Sequence, residues 1–484
     1  MKTILLWGLF AVFLNTAIAS KTIEKKQALS NKLHSELNAL LKRDQYNHVK
    51  IGVQIQEIKK KRAHTLYAHN KNSLLTPAST LKTILSAAVL HKYPSKHRFE
   101  THLLTDSKKV TTRLNGNLYI KGLGDPSFSE ENILNMVSSL IEKNIQTVSG
   151  NLYYDDFNFQ TKNSFKTIQN ARYYYAPESA LSCNYNKLSL MIDNASTPSI
   201  TLKKETGYAK IKHNDLVVLD TKKAYWPKIS YQQKKWGDDY RIQGAVSLAD
   251  QKNDYLDVLV SQPGLYSATL FKEACEKRGI TFLGKIQRRA TPKHSKLLHV
   301  EKGKLLSDIL LELNQNSNNV IARQLNHHLA KKRRQSVSSY ELGTKAVRSF
   351  CIKKIKLKKG SFLIDDISGL SKNNKISPDA FSNALHYFYK KKHRYQALFS
   401  SLIQVGKHPL YRKEPPQNLD VFFKTGTLPK TGVNALVGYI KDKQSETLYT
   451  IVILAERQDK RPAYSGSLTF PVLHKTMALL NRNL

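Results

Sequence analysis

Pro77-Ala78-Ser79-Thr80-Leu81-Lys82 is the stretch on which the reading of this chain turns. Pro77 and Ala78 suit the entry to a helix, and Leu81, Ile84, Leu85, Ala88 and Val89 give that helix one apolar face as far as about His91. Ser79 and Lys82 then stand one turn apart near its N-terminus, where both side chains can project to the same side. A serine there is a natural nucleophile, because the unpaired N–H groups and the dipole of the first turn stabilise negative charge developing on its oxygen. Its hydroxyl is inert at neutral pH without a base, and Lys82 can serve if burial and a second cation leave its amine neutral. Standing alone, the segment reads more simply as a helix cap followed by a surface lysine.

Two further segments change that reading. Ser317-Asn318-Asn319 opens a helix that begins Val320-Ile321-Ala322. In isolation it is a cap; beside Ser79, Ser317 can relay a proton between Lys82 and a leaving amine, while the Asn319 amide anchors Lys82 and bonds a substrate backbone. Lys424-Thr425-Gly426-Thr427 follows Val421-Phe422-Phe423 and is read as the start of a strand. An ammonium and two hydroxyls there can bind a terminal carboxylate, Gly426 lets a substrate backbone approach, and Lys424 is the second cation that Lys82 needs. Order and context carry the argument. By chance a Ser-x-x-Lys is expected roughly a few times in a chain this rich in serine and lysine, but a Lys-Thr-Gly-Thr only on the order of a few hundredths of a time.

The N-terminus bears on compartment. Lys2 supplies a positive start, Thr3 to Leu14 is apolar, and Ala17-Ile18-Ala19 has the small residues of a cleavage site. Export to the periplasm with cleavage near Ala19 is expected, the apolar run being shorter than the roughly 20 residues a spanning helix needs. The chain has 484 residues and a formal net charge of +40. Such a surface attracts polyanions. With an export signal the expected partners are anionic envelope polymers, and no nucleic acid is expected. Cys183, Cys275 and Cys351 are too few and too scattered for a disulfide framework or a zinc site, leaving one bridge or none.

Outward from these motifs, residues 22–43 read as an amphipathic helix. Val49, Ile51, Val53 and Ile55 alternate at period two, with Ala63 to Ala68 as a hairpin partner. From about 95 to 290 the texture is of short strands, with one clear helix at Glu130 to Lys143. Helical texture returns after about 298, and the tail supplies strands at Ala435 to Ile440 and Leu448 to Leu454 and a helix from Pro471 to Leu480.

The chain resembles the low-molecular-mass class C penicillin-binding proteins, the D-alanyl-D-alanine carboxypeptidases and endopeptidases of the S13 serine peptidase family. The matching residues are Pro77 to Lys82, Lys424-Thr425-Gly426-Thr427-Leu428, Gly122-Leu123-Gly124-Asp125-Pro126, Tyr175-Ala176-Pro177, Ser179 to Ser182 with Asn184 and Asn186, and Ser368-Gly369-Leu370-Ser371. The interval of 238 residues from Ser79 to Ser317 resembles the class C insertion.

The resemblance implies an α/β (α+β) fold with a penicillin-binding-protein/β-lactamase-like transpeptidase domain, a mostly antiparallel sheet of about five strands between helices. Residues 1–19 would be a signal peptide, 20–95 and 291–484 the catalytic domain, and 96–290 an inserted β-rich domain with a nested smaller α/β domain. It also implies an acyl-enzyme on Ser79, with Lys82, Ser317, Asn319 and Lys424 catalytic and Thr425, Gly426 and Thr427 substrate-binding. The substrate would be a peptidoglycan stem peptide, β-lactams would be covalent inhibitors, and no metal or organic cofactor is needed. The alternatives are a β-lactamase, or a weakly catalytic envelope protein that binds peptidoglycan or senses β-lactams. Three departures from the family pattern bear on substrate preference and rate: Asn318 and Arg323 stand where acidic residues are usual, Ile367 replaces a glycine, and Gly406-Lys407-His408-Pro409-Leu410 replaces a G-x-D-G-T-L-like run.

Overall fold

The computed structural model describes residues 24–59, 63–160, 167–168, 175–193, 199–219, 227–247, 255–330, 338–408, 411, 414–459, 461–462 and 466–483. The expected signal peptide lies outside these residues. No helix among them is long and apolar enough to cross a membrane. They form two compact units. One takes the residues up to His91, Asn314–Ser317 and those from Val347 on; the other takes Lys92–Leu313 and Asn318–Ala346.

The first unit is built on a six-stranded sheet in the order Ala63–His69, Val49–Ile58, Leu448–Arg457, Val433–Asp442, Leu419–Leu428, Ile403–Gln404, every pair antiparallel. This agrees with the expected architecture, with one strand more. Period two explains its two faces. Ile51, Val53 and Ile55 pack with Leu436 and Ile440 against Leu33 and Leu37 of helix 24–41 and Leu473 and Leu480 of helix Phe470–Asn483. Each fully buried leucine of this kind stabilises by about 1.5–3 kcal/mol.

The polar positions of the same strand are also buried. Gln54 and Gln56 face helix Pro378–Lys390, where Gln54 donates to Asp379 at 3.2 Å and Gln56 accepts from Ser382 at 2.7 Å. An alternating pattern thus marks a strand covered on both faces, its polar face bonded in part by helix side chains while, among the described residues, Gln54 Oε1 has no partner.

The second unit holds a five-stranded mixed sheet in the order Ile286–Arg288, Leu152–Asp155, Leu118–Gly122, Arg98–Thr105, Lys296–Leu305. Helices Glu130–Glu142 and Pro263–Lys277 belong to this unit. Between Leu152–Asp155 and Pro263 the chain supplies a four-stranded and a three-stranded sheet, so the α/β layer is the outer one and the strand-only portion is nested, the reverse of the expected nesting. Helix Pro263–Lys277 falls in the stretch expected to be short strands; its proline occupies the first helical position, where its missing N–H costs nothing. Lys296–Leu305 pairs with Arg98–Thr105, so the boundaries expected at 95 and 290 do not coincide with the observed units.

Candidate active site

Ala78–Thr80 makes one 3-10 turn that runs directly into helix Leu81–Lys92. Its start is tied twice, the Thr80 N–H and hydroxyl both donating to the Pro77 carbonyl, at 3.2 and 2.6 Å. Ala78 adopts φ 46° in the left-handed region, which costs a residue with a Cβ about 1–3 kcal/mol and persists only where surroundings enforce it. Two glycines supply the enforcement. A Cβ on Gly369, itself at φ 89°, would stand 2.3 Å from the Ala78 carbonyl oxygen, and one on Gly426 would stand 2.7 Å from the Ser79 nitrogen. Only residues without side chains let the backbone come this close.

Ser79 is half-buried and Lys82 has no exposed surface. Lys82 Nζ donates to Ser79 Oγ at 2.9 Å and to the Ser368 carbonyl at 2.5 Å. That carbonyl is aimed by Asp366, whose carboxylate accepts from the Ser368 N–H at 3.2 Å, its hydroxyl at 2.6 Å and the Leu370 N–H at 2.8 Å. Asn374 Oδ1 in turn accepts from the N–H groups of Asp365 and Asp366 at 2.8 and 3.0 Å. Ile367 is fully buried, so an apolar anchor stands where the family has glycine.

Lys424 to Thr427 lie in the second half of strand Leu419–Leu428, not at its start; Asn434 is opposite Thr427. The outer neighbour Ile403–Gln404 pairs only with Phe422 and Phe423, so among the described residues the edge from Lys424 onward has no strand beside it. Lys424 shares the face of Gly426, while Thr425 and Thr427 alternate to the other and are half-exposed. Lys424 is buried, its ammonium donating to the Thr425 carbonyl at 2.9 Å, and burial pulls its pKa down from 10.5 to about 7. The expected second cation is therefore only partly charged near neutrality.

Ser317 is half-buried, with φ 55°, between helices Leu306–Gln315 and Asn319–Ala330. Its segment is tied to the Lys82 helix through buried Asn314, whose amide donates to Ser86 Oγ at 3.0 Å and to Ser401 Oγ at 2.8 Å. Ser86, one turn beyond Lys82, donates to the Lys82 carbonyl at 2.8 Å. The first unit thus brings together Ser79, Lys82 and the Lys424–Thr427 edge and attaches the Ser317 segment to the same helix. Asn319 heads a helix of the second unit.

The departures have local explanations. Asn318 Oδ1 accepts from the N–H groups of Val320 and Ile321 at 3.0 and 3.2 Å, so asparagine keeps the capping oxygen of an aspartate without its charge. Arg323 donates to the Ala176 carbonyl and lies 3.7 Å from Glu178, whose other oxygen bonds His327 at 2.6 Å. Sequence reasoning did not single out the Ser368 carbonyl, whose bond to Lys82 is carried by backbone; His408, in the run that departs from the family pattern, has its pKa lowered by burial and then by nearby Lys424. All three cysteines are buried free thiols. Among the described residues no cluster of three or more His, Cys, Asp or Glu side chains is placed to hold a metal.

Comparison with known proteins places this chain in a family. The family described as D-Ala-D-Ala carboxypeptidase 3 (S13) matches residues 33–466. The chain belongs to that family. It is 25% identical over 390 residues to the D-alanyl-D-alanine carboxypeptidase DacB of Haemophilus influenzae, covering 78% of this chain and 80% of that protein. It is 24% identical over 412 residues to a D-alanyl-D-alanine carboxypeptidase of an Actinomadura species, covering 80% and 74%. The crystal structure of penicillin binding protein 4 from Haemophilus influenzae superposes with a TM-score of 0.74 at 22% identity, covering 90% of this chain and 96% of that one, which shows the S13 fold. A predatory peptidoglycan endopeptidase from Bdellovibrio bacteriovorus shares the fold more distantly, with a TM-score of 0.51 at 14% identity, covering 90% and 94%.

Proposed function

We propose that this S13 serine peptidase uses Ser79 to attack the carbonyl between the two terminal D-alanines of a peptidoglycan stem peptide. The observation that carries the reading is the 2.9 Å approach of buried Lys82 Nζ to Ser79 Oγ, one turn apart at a helix entry. Lys82 takes the serine proton as the Ser79 Oγ–carbon bond forms. The Ser79 and Thr427 N–H groups stabilise the oxyanion. Ser317 passes the proton to the departing amine as the peptide bond breaks. Water then hydrolyses the ester, with Lys82 again accepting a proton.

The unpaired edge beyond Phe423 suits an extended substrate adding as a strand, with Lys424, Thr425 and Thr427 binding its terminal carboxylate. Where the leaving amine belongs to a cross-linked neighbour, the same steps make the enzyme a D,D-endopeptidase. A strained β-lactam amide acylates Ser79 in the same pose; the Haemophilus influenzae penicillin binding protein 4 has itself been crystallised with a β-lactam. Export to the periplasm brings the enzyme to this substrate, and the +40 charge holds it to anionic envelope polymers.

The test is Ser79→Ala: covalent labelling by a fluorescent penicillin should vanish while circular dichroism and melting stay near wild type. Labelling that persists on the full-length variant overturns the assignment.

A further inference from the structure

The first unit holds a groove of about 320 Å³ that the reaction above does not use. It lies between the segment Ile355–Lys358, which follows helix Tyr340–Phe350, and helix Pro378–Lys390. Lys356, Lys358 and Lys390 line it together with Asn383, His386 and Tyr387, and Asp379 is the one acidic lining residue. The three lysines are exposed, and Lys356 and Lys358 form no ion pair among the described residues. The Asp379 carboxylate is already engaged, accepting from Gln54 at 3.2 Å and Asn383 at 3.1 Å.

Two basic runs reach the groove, Lys356 and Lys358 of the run Lys353 to Lys359 from one side and Lys390, the first residue of the run to Arg394, from the other. Their convergence is read by two histidines. His91 is depressed by burial and then by Arg394 and Lys354, one from each run; His386, in the groove, is depressed by burial and then by Lys390. Among the described residues the buried Nε2 of His386 has no hydrogen-bond partner. A concave site in a positive field, with an aromatic ring, an amide and an imidazole among its walls, offers stacking, hydrogen bonding and charge to a ligand the size of one substituted sugar or a short peptide.

We propose that this groove is a second, non-catalytic site that holds the free carboxylates of the peptidoglycan polymer, so that retention on the sacculus is localised here and not spread over the whole +40 surface. The proposal rests on the peptidoglycan reading above. Three lysines around one concavity put their charges within reach of a single ligand, which lysines scattered over open surface do not.

The test compares two triple charge reversals that change net charge equally: Lys356→Glu, Lys358→Glu and Lys390→Glu in the groove, and Lys25→Glu, Lys42→Glu and Lys50→Glu on exposed positions elsewhere in the same unit. Pelleting with purified sacculi should weaken at least tenfold for the groove variant and less than twofold for the control, while both release D-alanine from a short D-alanyl-D-alanine peptide at the wild-type rate. Equal losses, or none, overturn the proposal. So does a groove variant that pellets normally but turns the short peptide over slowly. Sacculi whose carboxyl groups have been amidated should lose the groove-dependent binding, and sacculi stripped of phosphodiester-linked polymers should keep it; the opposite pattern assigns the groove to phosphate and overturns the carboxylate. Wild-type turnover of the short peptide reports separately on the peptidase reading.

Discussion

Gly426 lies so close to the turn that carries Ser79 that a Cβ on it would stand 2.7 Å from the Ser79 nitrogen and 2.9 Å from the Ala78 Cβ. The proposed nucleophile and the strand proposed to bind the substrate carboxylate are thus set against each other at backbone distance. Flexible side chains can move aside at small cost, whereas the partners here are main-chain atoms and a Cβ fixed to the main chain.

Gly426→Ala should therefore push the strand edge from the nucleophile by a few tenths of an ångström or more. Penicillin acylation is expected to slow about 100-fold, the usual consequence of misplacing reacting groups on that scale. Stopped-flow labelling measures it, and a rate within threefold of wild type would show that the contact is slack.

Lys82→Arg should be nearly as damaging as Lys82→Ala. A guanidinium does not deprotonate in proteins, so it cannot take the Ser79 proton, and it cannot fit the fully buried lysine site without disturbing the Ser368 carbonyl. Acylation rates at neutral pH decide the matter; substantial activity in the arginine variant would reduce Lys82 to an electrostatic partner.

The depressed pKa of Lys424, about 7, gives a pH dependence with a definite sign. Above neutrality the empty site holds a neutral amine, so binding a substrate carboxylate must take up a proton, and KM for peptides ending in a free carboxylate should rise between about pH 7 and 9. A substrate ending in an amide should show no such rise. The stability effect runs the opposite way by linkage: the unfolded lysine, near 10.5, binds more protons than the folded one between about pH 7 and 10.5, so this residue's burial cost is full below pH 7 and relieved as pH climbs. Lys424→Met should accordingly raise the melting temperature more at pH 6 than at pH 9, and an equal change at both would argue against the buried, depressed amine.

Asn314→Ala removes the two donations to Ser86 and Ser401 from a fully buried site. The loss should cost about 2–3 kcal/mol of stability. Because Asn314 ties the Ser317 segment to the Lys82 helix, release of D-alanine should also slow. Thermal melting and turnover are read together, and a destabilised enzyme with unaltered turnover would show that Ser317 is positioned by something else.

The proposed reacting pair, Ser79 and Lys82, was legible because the local requirement is written in adjacent residues. A serine and a lysine one turn apart need only a helix entry to face the same way, and helix Leu81–Lys92 begins where its apolar periodicity begins. The rare Lys424-Thr425-Gly426-Thr427 run, the antiparallel strands of the tail and membership of the S13 family followed from the same kind of information. What only the tertiary structure decided involves backbone atoms and long-range pairing, which leave no periodic trace. The Ser368 carbonyl that bonds Lys82 could be any residue's carbonyl, and it is placed by Asp366 and Asn374 acting on main-chain N–H groups. Gln54 and Gln56 look like a solvent face until a helix more than 300 residues later covers them. Residue type and spacing determine chemistry within one turn or one strand; burial, and with it the near-neutral amine of Lys424, is set by what the rest of the chain packs against it.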